Sequence, residues 1–413
     1  MKQRTSISEL ARKGLLYFSD GYRTKKPELG PSGYPIMRVA QVLDGYVGPA
    51  SEPEYVRDEF KKKIGLKSSV NGDVILTTKG TVGRMAKITA KEEGYVYSPQ
   101  VCFFRILDER KIDKDYLFYT MAADDFRRQM LAVSTQTDMA PYINLKDLGS
   151  LELDLLDLSE QRSIASVLGA LDDKIELNRR MNGTLEAMAQ ALFKEWFVDG
   201  AEEEWVTIRL GDMLTLDKGL SYKGKFLTED EGLDMVNLGC FGAGGRFKED
   251  KLKHYTGEYK AKHLVRAKDI VMANTDITQN REVIGSPALV PPHLEGDVLF
   301  THHVFALRIN EEYEKYRLFL YYALLENAFR ERAVGYSTGT TVLSLPRDTV
   351  EEHELLLPDE QTIDRFNTLV TPLLERGWAN YSESQTLTAL RDTLLPKLMR
   401  GEVRVKEKEP RHA

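Results

Sequence analysis

Several features that would indicate an enzyme of known type or a membrane protein are scarce or missing in this sequence. Only 2 of its 413 residues are cysteine, Cys102 and Cys240. Neither lies in a CxxC pair, so we expect small buried residues rather than a disulfide or a thiolate metal site. No apolar run approaches the roughly 20 residues of a membrane-spanning helix, and the N-terminus lacks the apolar core of a signal peptide. These absences predict a cytoplasmic protein.

Motifs for ATP hydrolysis and amino methylation are missing as well. The sequence contains no GxxxxGK[ST] phosphate loop and no HExxH zinc motif. Its one Pro-Pro pair, Pro291-Pro292, follows Val290 and precedes His293, which does not match the N/D-P-P-Y/F motif of an amino-methyltransferase. The paired histidines His302-His303 have no carboxylate spacing beside them, so metal binding is not expected. The chain is predicted to have no catalytic residues and to bind no metal.

Charge is distributed unevenly along the chain. The formal net charge is −7, which argues against a uniformly basic nucleic-acid coat but not against local binding faces. Two basic stretches lie at similar places in the two halves of the chain, and either could be a solvated face or a set of phosphate contacts. The phosphate-contact candidates are Lys61, Lys62, Lys63, Lys248, Lys251, Lys253, Lys260 and Lys262.

Residues 160–197 are the most strongly patterned stretch. Apolar residues recur there at alternating steps of three and four, which predicts one long helix with a coiled-coil seam. Asn178 and Asn182 interrupt the seam. Buried polar residues at such positions cost stability but penalise slipped pairings, so they can fix the register against a partner helix.

Residues 360–403 repeat this pattern and supply the partner. Its polar gap, Asn380 and Ser384, lies 202 residues after Asn178 and Asn182, so we interpret the two helices as copies that pair antiparallel. Pro372 lies inside the second copy and cannot donate an intrahelical hydrogen bond, which predicts a kink or a break there. Apolar side chains outside the seams, such as Phe193, Phe197 and Leu398, suggest a docking surface for another protein.

The regions between the helices repeat as well. Residues 101–134 match residues 304–337 at a constant offset of 203, and short β-rich runs are followed in both by a helical pattern. We predict an α+β fold with two globular domains in a pseudo-twofold arrangement, each with a twisted antiparallel sheet, separated by two long antiparallel coiled-coil helices. The predicted boundaries are 1–157 and 201–357 for the globular domains, 158–200 and 358–405 for the spacer helices, and 406–413 for a charged tail.

A pseudo-twofold pair of domains is typical of proteins that read two half-sites on one DNA duplex. Polar residues at repeat-equivalent loop positions are then the candidates for reading DNA bases. Bases are distinguished mainly in the major groove, where Arg or Lys suits guanine and Asn or Gln suits adenine. Ordinary turn chemistry is the alternative explanation for each of them. The candidates are Thr77, Thr78, Lys79, Thr81, Arg84, Ser98, Gln100, Thr135 and Gln136 in the first half, and Asn274, Thr275, Thr278, Gln279, Asn280, Arg281, His302, His303, Ser337 and Thr338 in the second.

The helical segments resemble a known family. The string LDDKIELNRRMNGTLEAMAQALFKEWF, residues 171–197, closely resembles the central conserved region of the specificity subunits of Type I restriction-modification systems. LRDTLLPKLMRGEV, residues 390–403, looks like their distal conserved region. The resemblance covers the whole chain, with two variable target-recognition domains that each end in a helix beginning with Glu-Gln.

This resemblance implies a subunit without catalysis of its own. It would bind an asymmetric, bipartite site in double-stranded DNA, each recognition domain reading one half. Two modification subunits carrying S-adenosylmethionine would methylate adenine N6, and restriction subunits would add cleavage that depends on ATP and Mg²⁺. Two other hypotheses remain open on the sequence alone: a coiled-coil scaffold joining two protein-binding domains, and a stand-alone nuclease or methyltransferase.

Overall fold

The computed structural model describes residues 3–50, 52–134, 142–278, 281–294 and 296–405. The chain divides into two compact units. Unit 1 comprises Met1–Leu177 together with Glu383–Ala413, and unit 2 comprises Asn178–Ser382. Within the described ranges, no helix combines the length and the apolarity that crossing a membrane would require.

Unit 1 contains short strands, short helices and the ends of two long helices. Its strands are β1 Gln3–Ser6, β2 Leu16–Asp20, β3 Leu29–Gly30, β4 Tyr34–Met37, β5 Tyr55–Val56, β6 Val74–Thr77, β7 Met85–Lys87, β8 Val96–Tyr97, β9 Val101–Ile106 and β10 Glu152–Leu155. Its helices are α1 Ile7–Arg12, α2 Lys61–Ile64, α3 Lys114–Ala122, α4 Asp124–Val133, α5 Leu145–Ser150 and the first part of α6 Leu158–Phe193.

Unit 2 repeats this order after a π-helical turn, Lys194–Asp199, that follows α6. Its strands are β11 Val206–Arg209, β12 Leu214–Lys218, β13 Leu227–Thr228, β14 Leu233–Val236, β15 Lys253–Tyr255, β16 Leu264–Val265, β17 Ile270–Ala273, β18 Thr275–Asp276, β19 Pro287–Leu289, β20 Val298–Phe300, β21 Val304–Ile309, β22 Leu343–Ser344 and β23 Glu354–Leu357. Its helices are α7 Leu210–Met213, α8 Arg317–Leu325, α9 Asn327–Tyr336, α10 Arg347–Glu351 and the first part of α11 Glu360–Arg400.

The two units have matching sheets. An antiparallel sheet has the order β2-β9-β6-β7 in unit 1 and β12-β21-β17-β19 in unit 2. A second sheet has the order β3-β5-β4-β8 in unit 1 and β13-β15-β14-β20-β16 in unit 2. The predicted α+β class is confirmed, and the first sheet of each unit is antiparallel as predicted. The second sheet was not predicted and is mixed, because β4 pairs with β8, and β14 with β20, in parallel.

An ion pair occupies the same place in both units, and its acid is buried in unit 1 and half-buried in unit 2. Asp73 precedes β6 and accepts two hydrogen bonds from the Arg105 guanidinium, at 2.8 and 2.6 Å. It also accepts one from the Tyr97 hydroxyl, at 2.7 Å. In unit 2 the equivalent Arg308 lies 3.5 Å from Asp269 and 3.0 Å from Asp217. The repeat therefore preserves a charge pair of the first sheet.

Both long helices contribute to both cores. In unit 1, Ile164 and Leu168 of α6 share a core with Leu398 and Met399 of α11. In unit 2, the core combines the later residues of α6 with the earlier residues of α11, namely Ala189, Phe193, Phe197, Ile363, Phe366 and Val370. Antiparallel pairing is thus present inside each unit. The docking surface expected from Phe193, Phe197 and Leu398 was wrong, because these side chains are 3%, 7% and 2% exposed.

Helix α11 runs from Glu360 to Arg400 without interruption, so the break expected at Pro372 does not occur. Pro372 lies on an exposed position of the helix, and the neighbouring Val370 and Leu373 pack into the core of unit 2. Packing of the buried face offsets the loss of one backbone hydrogen bond.

A glycine at the end of the first sheet strand allows close packing in each unit, and this gives a test of the fold. A β-carbon at Gly21 would lie 2.1 Å from the Ser98 carbonyl oxygen, and one at Gly219 would lie 2.3 Å from the Phe300 carbonyl oxygen. We expect Gly21→Ala to lower the free energy of unfolding by about 1–3 kcal/mol, since the backbone must move apart.

The matched control is Gly183→Ala in α6, where a β-carbon would meet nothing within 4 Å. This change is expected to raise the free energy of unfolding by about 0.5–1 kcal/mol, because alanine loses less backbone entropy in a helix. Urea unfolding of the two variants measures both effects. Equal stabilities would contradict the close approach at Gly21.

Candidate nucleic-acid interface

The hairpin between β6 and β7 carries the first group of predicted base readers. The Thr77 hydroxyl accepts a hydrogen bond from the Arg84 amide at 3.0 Å and donates to the Thr81 carbonyl. The Thr78 hydroxyl donates to the Gln100 carbonyl at 3.2 Å. Thr77, Thr78 and Ser98 are at most 5% exposed. Direct base contact by these three was a wrong prediction, because their side chains lie inside the unit and Thr77 and Thr78 hold the hairpin in shape.

The tip of the same hairpin is open to solvent. Lys79, Thr81 and Arg84 are exposed, and so is Gln100 in the adjoining loop. Lys79 forms an isolated antiparallel bridge with Tyr142, which places a lysine next to a tyrosine that is 36% exposed. Unit 1 therefore presents donors, an amide and an aromatic ring on one surface. Thr135 and Gln136 lie outside the described residues.

In unit 2 the corresponding loop is longer, and its base is polar but buried. Asn274 is 2% and Thr275 6% exposed. The Asn274 side-chain amide donates to the His302 carbonyl at 3.2 Å, and the Thr275 hydroxyl donates to the Asn274 side-chain oxygen at 2.8 Å. Asn274 and Thr275 were wrongly predicted as base readers, because their side chains are buried and connect the loop to His302 and His303. Thr278 and Arg281 are more accessible, and Gln279 and Asn280 lie outside the described residues.

Two residues that sequence reasoning missed brace this longer loop. The fully buried Asp276 carboxylate accepts hydrogen bonds from the backbone amides of Thr278, Val283 and Ile284, at 2.6, 2.7 and 3.0 Å. Burial by itself would raise the pKa of Asp276, but these donors outweigh it and the pKa is lowered. A single acid between two loop threonines carries no distinctive sequence signal.

Arg330 on α9 is the second brace. Its guanidinium donates to the carbonyl oxygens of Glu282 and Ile284 at 2.8 and 3.3 Å, and to the Ser286 hydroxyl at 3.1 Å. A third carbonyl, that of Arg281, accepts from the same group. The repeat alignment places Arg330 opposite Arg127, but it gives no hint of these contacts. Asp276 and Arg330 therefore both hold the described part of loop 274–286, through its backbone amides and its carbonyl oxygens respectively.

The histidine pair lies beside the base of this loop. The ring centroids of His302 and His303 are 3.8 Å apart, and His303 Nδ1 lies 3.2 Å from the Thr275 hydroxyl. Burial, followed by the charges of neighbouring groups that include Lys218 and Lys253, lowers the pKa of His303. His303 is therefore neutral at pH 7 and can both donate and accept a hydrogen bond.

Other predicted contacts of unit 2 border this cluster. The amide of Thr338 donates to the Ser344 carbonyl at 2.9 Å, and the Ser344 amide donates back at 2.8 Å, while β18 pairs with β22. The segment 337–344 thus lies next to loop 274–286. The Lys253 ammonium donates to the Tyr222 hydroxyl at 2.8 Å, and Tyr222 lies 6.4 Å from the His302 ring. The structure therefore brings together the base-reading candidates of three segments of unit 2, namely 274–286, 302–303 and 337–344.

The lysine candidates are spread more widely. Lys61, Lys62 and Lys63 are exposed on α2, where Lys63 lies 3.6 Å from Glu28. Lys251, Lys260 and Lys262 are exposed, and Lys248 is half-buried. Lys251 also pairs with Asp250 at 2.7 Å. Of this group, Lys253 is the one whose contacts join the histidine cluster.

The register candidates meet inside unit 2. The Asn178 side-chain amide donates to the Asn380 backbone carbonyl at 3.2 Å, and that of Asn182 donates to the Gly377 carbonyl at 3.0 Å. The Asn380 side-chain amide donates to the Asn182 side-chain oxygen at 2.8 Å. Ser384 belongs to unit 1 and is half-buried. Three of the four polar seam residues therefore contact the opposite helix in unit 2.

These surfaces supply hydrogen-bond donors, hydrogen-bond acceptors and positive charge. Among the described residues, no group of three or more His, Cys, Asp or Glu side chains could hold a metal ion. The two histidines contact hydroxyl, amide and aromatic groups rather than carboxylates. The arrangement can bind a ligand that carries several negative charges together with hydrogen-bond donors and acceptors.

Comparison with known proteins places the chain in context. Residues 9–187 match the family model described as "Type I restriction modification DNA specificity domain". The chain is 26% identical to the MjaIX specificity subunit of a Type I restriction enzyme from Methanocaldococcus jannaschii, covering 85% of this chain and 82% of that protein. It is 24% identical to the HindI specificity subunit from Haemophilus influenzae, covering 70% and 77%.

Among solved structures, the chain is similar to the S subunit of a Type I restriction-modification system from M. genitalium. That match covers 99% of this chain and 97% of the other, with a TM-score of 0.55 and 17% sequence identity. At this identity the likeness concerns the fold. It extends over both units and both long helices.

The Asp276 brace makes a prediction about pH. Asp276→Asn is expected to lower the free energy of unfolding at pH 7 by about 1–3 kcal/mol, because charged hydrogen bonds are lost. The folded carboxyl has a lowered pKa, so its stabilisation is present above the unfolded value of about 4 and declines as the pH falls below it. Urea unfolding at pH 7 and pH 3 tests this.

The matched control is Asp250→Asn, an exposed acid of unit 2 that pairs with Lys251. Its effect is expected to be within about 0.5 kcal/mol at both pH values. A penalty for Asp276→Asn that stays the same as the pH falls would contradict an ionised, hydrogen-bonded Asp276.

The seam asparagines make a second prediction. In a double-mutant cycle, Asn182→Ala and Asn380→Ala are expected to couple by about 0.5–1.5 kcal/mol, because each removes the partner of the same hydrogen bond. Leu390→Ala, at an exposed position of α11, is the control and should be additive with Asn182→Ala. Urea unfolding of the single and double variants measures the coupling. Additive asparagine effects would mean that the contact does not hold the register.

Proposed function

We propose that the whole chain is the subunit that selects the DNA sequence in a Type I restriction-modification system, because residues 9–187 match the DNA specificity domain of such systems. It is a recognition subunit and not the enzyme. The observation that carries this function is the duplicated unit. Two copies of one fold present different polar loops. The two copies belong to one chain, whose two long helices contribute to both cores.

The difference between the reading loops supports an asymmetric target. Unit 1 offers the exposed Lys79, Thr81, Arg84 and Gln100, whereas unit 2 offers Thr278 and Arg281 on a longer, braced loop. Lysine and arginine suit guanine in the major groove, and glutamine suits adenine. The bound site is therefore bipartite and non-palindromic, each unit reading one half. The exposed lysines of α2 and of residues 251–262 serve as phosphate contacts.

The chain is divided functionally at the boundaries predicted above. Residues 1–157 and 201–357 are the target-recognition domains, 158–200 and 358–405 are the spacer helices that set the distance between the half-sites, and 406–413 form a tail that lies outside the described residues. A pseudo-twofold relation between the domains would let one chain act as a symmetric dimer does on DNA.

Partner subunits carry the chemistry in this proposal. Two modification subunits bind S-adenosylmethionine and methylate adenine N6 in the site that this chain selects, and restriction subunits use ATP and Mg²⁺ for translocation and cleavage. The chain itself binds no cofactor. Such a complex works in the cytoplasm, where the DNA is.

Mapping of N6-methyladenine tests the function directly. Genomic DNA without the modification is exposed to the chain with its modification subunit, and the methylated adenines are located by sequencing. We expect one split, non-palindromic sequence with an adenine methylated in each half. Methylation without a shared sequence around the modified adenines would overturn the proposal, as would methylation by the modification subunit at the same sites without this chain.

Variants of one unit should change one half of that sequence. Lys79→Ala with Arg84→Ala in unit 1, or Arg281→Ala in unit 2, is expected to relax selectivity in a single half-site, by about tenfold or more per lost base contact. Arg110→Ala is the control. Arg110 is an exposed arginine in the turn that follows β9, whereas Gln100 immediately precedes that strand. A uniform loss of methylation in both halves would argue against separate readers.

A further inference from the structure

The short strand pair at the edge of unit 2 presents a feature that hydrogen bonding to DNA does not use. Strands β18 and β22 pair antiparallel, with Thr275 opposite Ser344 and Asp276 opposite Leu343. Successive side chains of a strand point to opposite faces, and cross-strand partners point to the same face. Asp276 and Leu343 are buried, at 0% and 7% exposure, so they define the inner face.

The residues next to this pair are exposed. Ile277 follows Asp276 and Val342 precedes Leu343, and their side chains are 68% and 50% exposed. Continuing the register by one step beyond the two strands would set Ile277 opposite Val342. Single exposed aliphatic side chains are common and need no explanation. Here, however, two exposed branched side chains adjoin the same end of one strand pair, beside Thr278.

The pair is held in place. Asp276, immediately before Ile277, fixes the loop through three backbone amides, and Arg330 binds the returning strand of the loop at the carbonyls of Glu282 and Ile284. Leu343, next to Val342, is packed into the core of unit 2. An aliphatic pair with anchored neighbours on both strands can meet a ligand with little loss of conformational entropy.

The surroundings of the pair suit nucleic acid. Thr278 and Arg281 follow Ile277, and Thr340 and Thr341 precede Val342. Lys218 and Lys253 add positive charge near His303, at the base of the same loop. The acids of this loop are Asp276, whose carboxylate is turned inward, and Glu282. In the major groove, the apolar group that distinguishes one base pair from another is the C5-methyl of thymine.

We infer that Ile277 and Val342 contact the C5-methyl group of a thymine in the half-site read by unit 2. This inference rests on the proposed function. Loss of such a contact leaves the base pair's hydrogen-bonding edge unchanged, so the two side chains add selectivity for T·A that the polar loop residues do not supply. Ile277 and Val342 are thus specificity-determining residues.

Unit 1 provides an internal control, because its hairpin has Thr81 at the place of Ile277. Its bridge between Lys79 and Tyr142 corresponds to the pair Thr275 and Ser344, because the Thr78 and Asn274 amides make equivalent hydrogen bonds to the Gln100 and His303 carbonyls. The exposed groups there are an ammonium and a phenol ring. The first half-site should therefore lack a methyl contact of this kind.

The experiment replaces thymine with uracil, which removes only the methyl group. The chain is assembled with its modification subunit, and its equilibrium affinity is measured for the mapped site and for duplexes in which one thymine at a time is deoxyuridine. We expect one thymine in the second half-site at which the substitution weakens binding about threefold to tenfold, the value of one buried methyl group. The double variant I277A/V342A should bind the thymine and uracil duplexes equally.

Val206→Ala is the matched control, because Val206 is an aliphatic residue of unit 2 that is 68% exposed on β11. This variant should keep the full sensitivity to uracil. Retention of that sensitivity in I277A/V342A would overturn the inference. A second half-site that contains no thymine would overturn it as well. So would a double variant that, relative to the wild-type chain, loses the same factor of affinity for the thymine duplex and for the uracil duplex.

The outcomes separate this inference from the proposed function. Selective binding of the mapped site without a uracil-sensitive thymine removes the methyl contact and leaves the function standing. Absence of any selective binding by the assembled wild-type chain removes both. Recovery of the affinity of a cytosine variant of that position by 5-methylcytosine would add independent support, because the methyl group lies at the same place in the groove.

Discussion

The structure depends on the sharing of two helices between two cores. Each long helix leaves one unit and enters the other, so that Ile164 and Leu168 are buried in unit 1 while Phe193 of the same helix is buried in unit 2. The C-terminal helix does the same in the reverse direction, with Phe366 in unit 2 and Leu398 in unit 1. The core of unit 1 combines two separate segments of the chain, whereas unit 2 is one continuous segment, Asn178–Ser382. Folding of unit 1 therefore requires residues from both ends of the described chain.

The two units keep their scaffold and differ where they present side chains to solvent. Glycines in close approach and the charge pairs of Arg105 and Arg308 recur. The interior also diverges near the helices. In unit 1, Asp172 on α6 accepts hydrogen bonds from Tyr119 at 2.5 Å and from Arg391 at 2.9 Å. Leu374 and Ala189 occupy the equivalent positions in unit 2, beside Tyr322. The helix ends are thus chemically distinct, which disfavours exchange of one end for the other.

Sequence reasoning succeeded where a pattern is repeated over many residues. The seam periodicity predicted both long helices, and the alignment of the chain with itself predicted the shared order of strands and helices. It failed where a single side chain depends on its tertiary surroundings. Thr77 and Ser98 are buried, and Asn274 points to the His302 carbonyl. Polarity in a loop does not reveal which way a side chain faces. A break at Pro372, one of the two outcomes expected there, does not occur, because the packing of Val370 and Leu373, which no propensity includes, keeps the helix continuous.

The longer reading loop shows why its supports could not be seen in advance. Extra residues give a loop more reach, but they also give it more conformations, and every conformation that does not fit DNA weakens binding. Asp276 offsets this by occupying three backbone amides, and Arg330 does so from a helix more than forty residues away in sequence. The Asp276 carboxylate and the Arg330 guanidinium form hydrogen bonds within the protein and are not presented to a ligand. In the proposed function, these two braces, and not only the number of polar groups, therefore decide which of the described side chains of the loop can discriminate between bases.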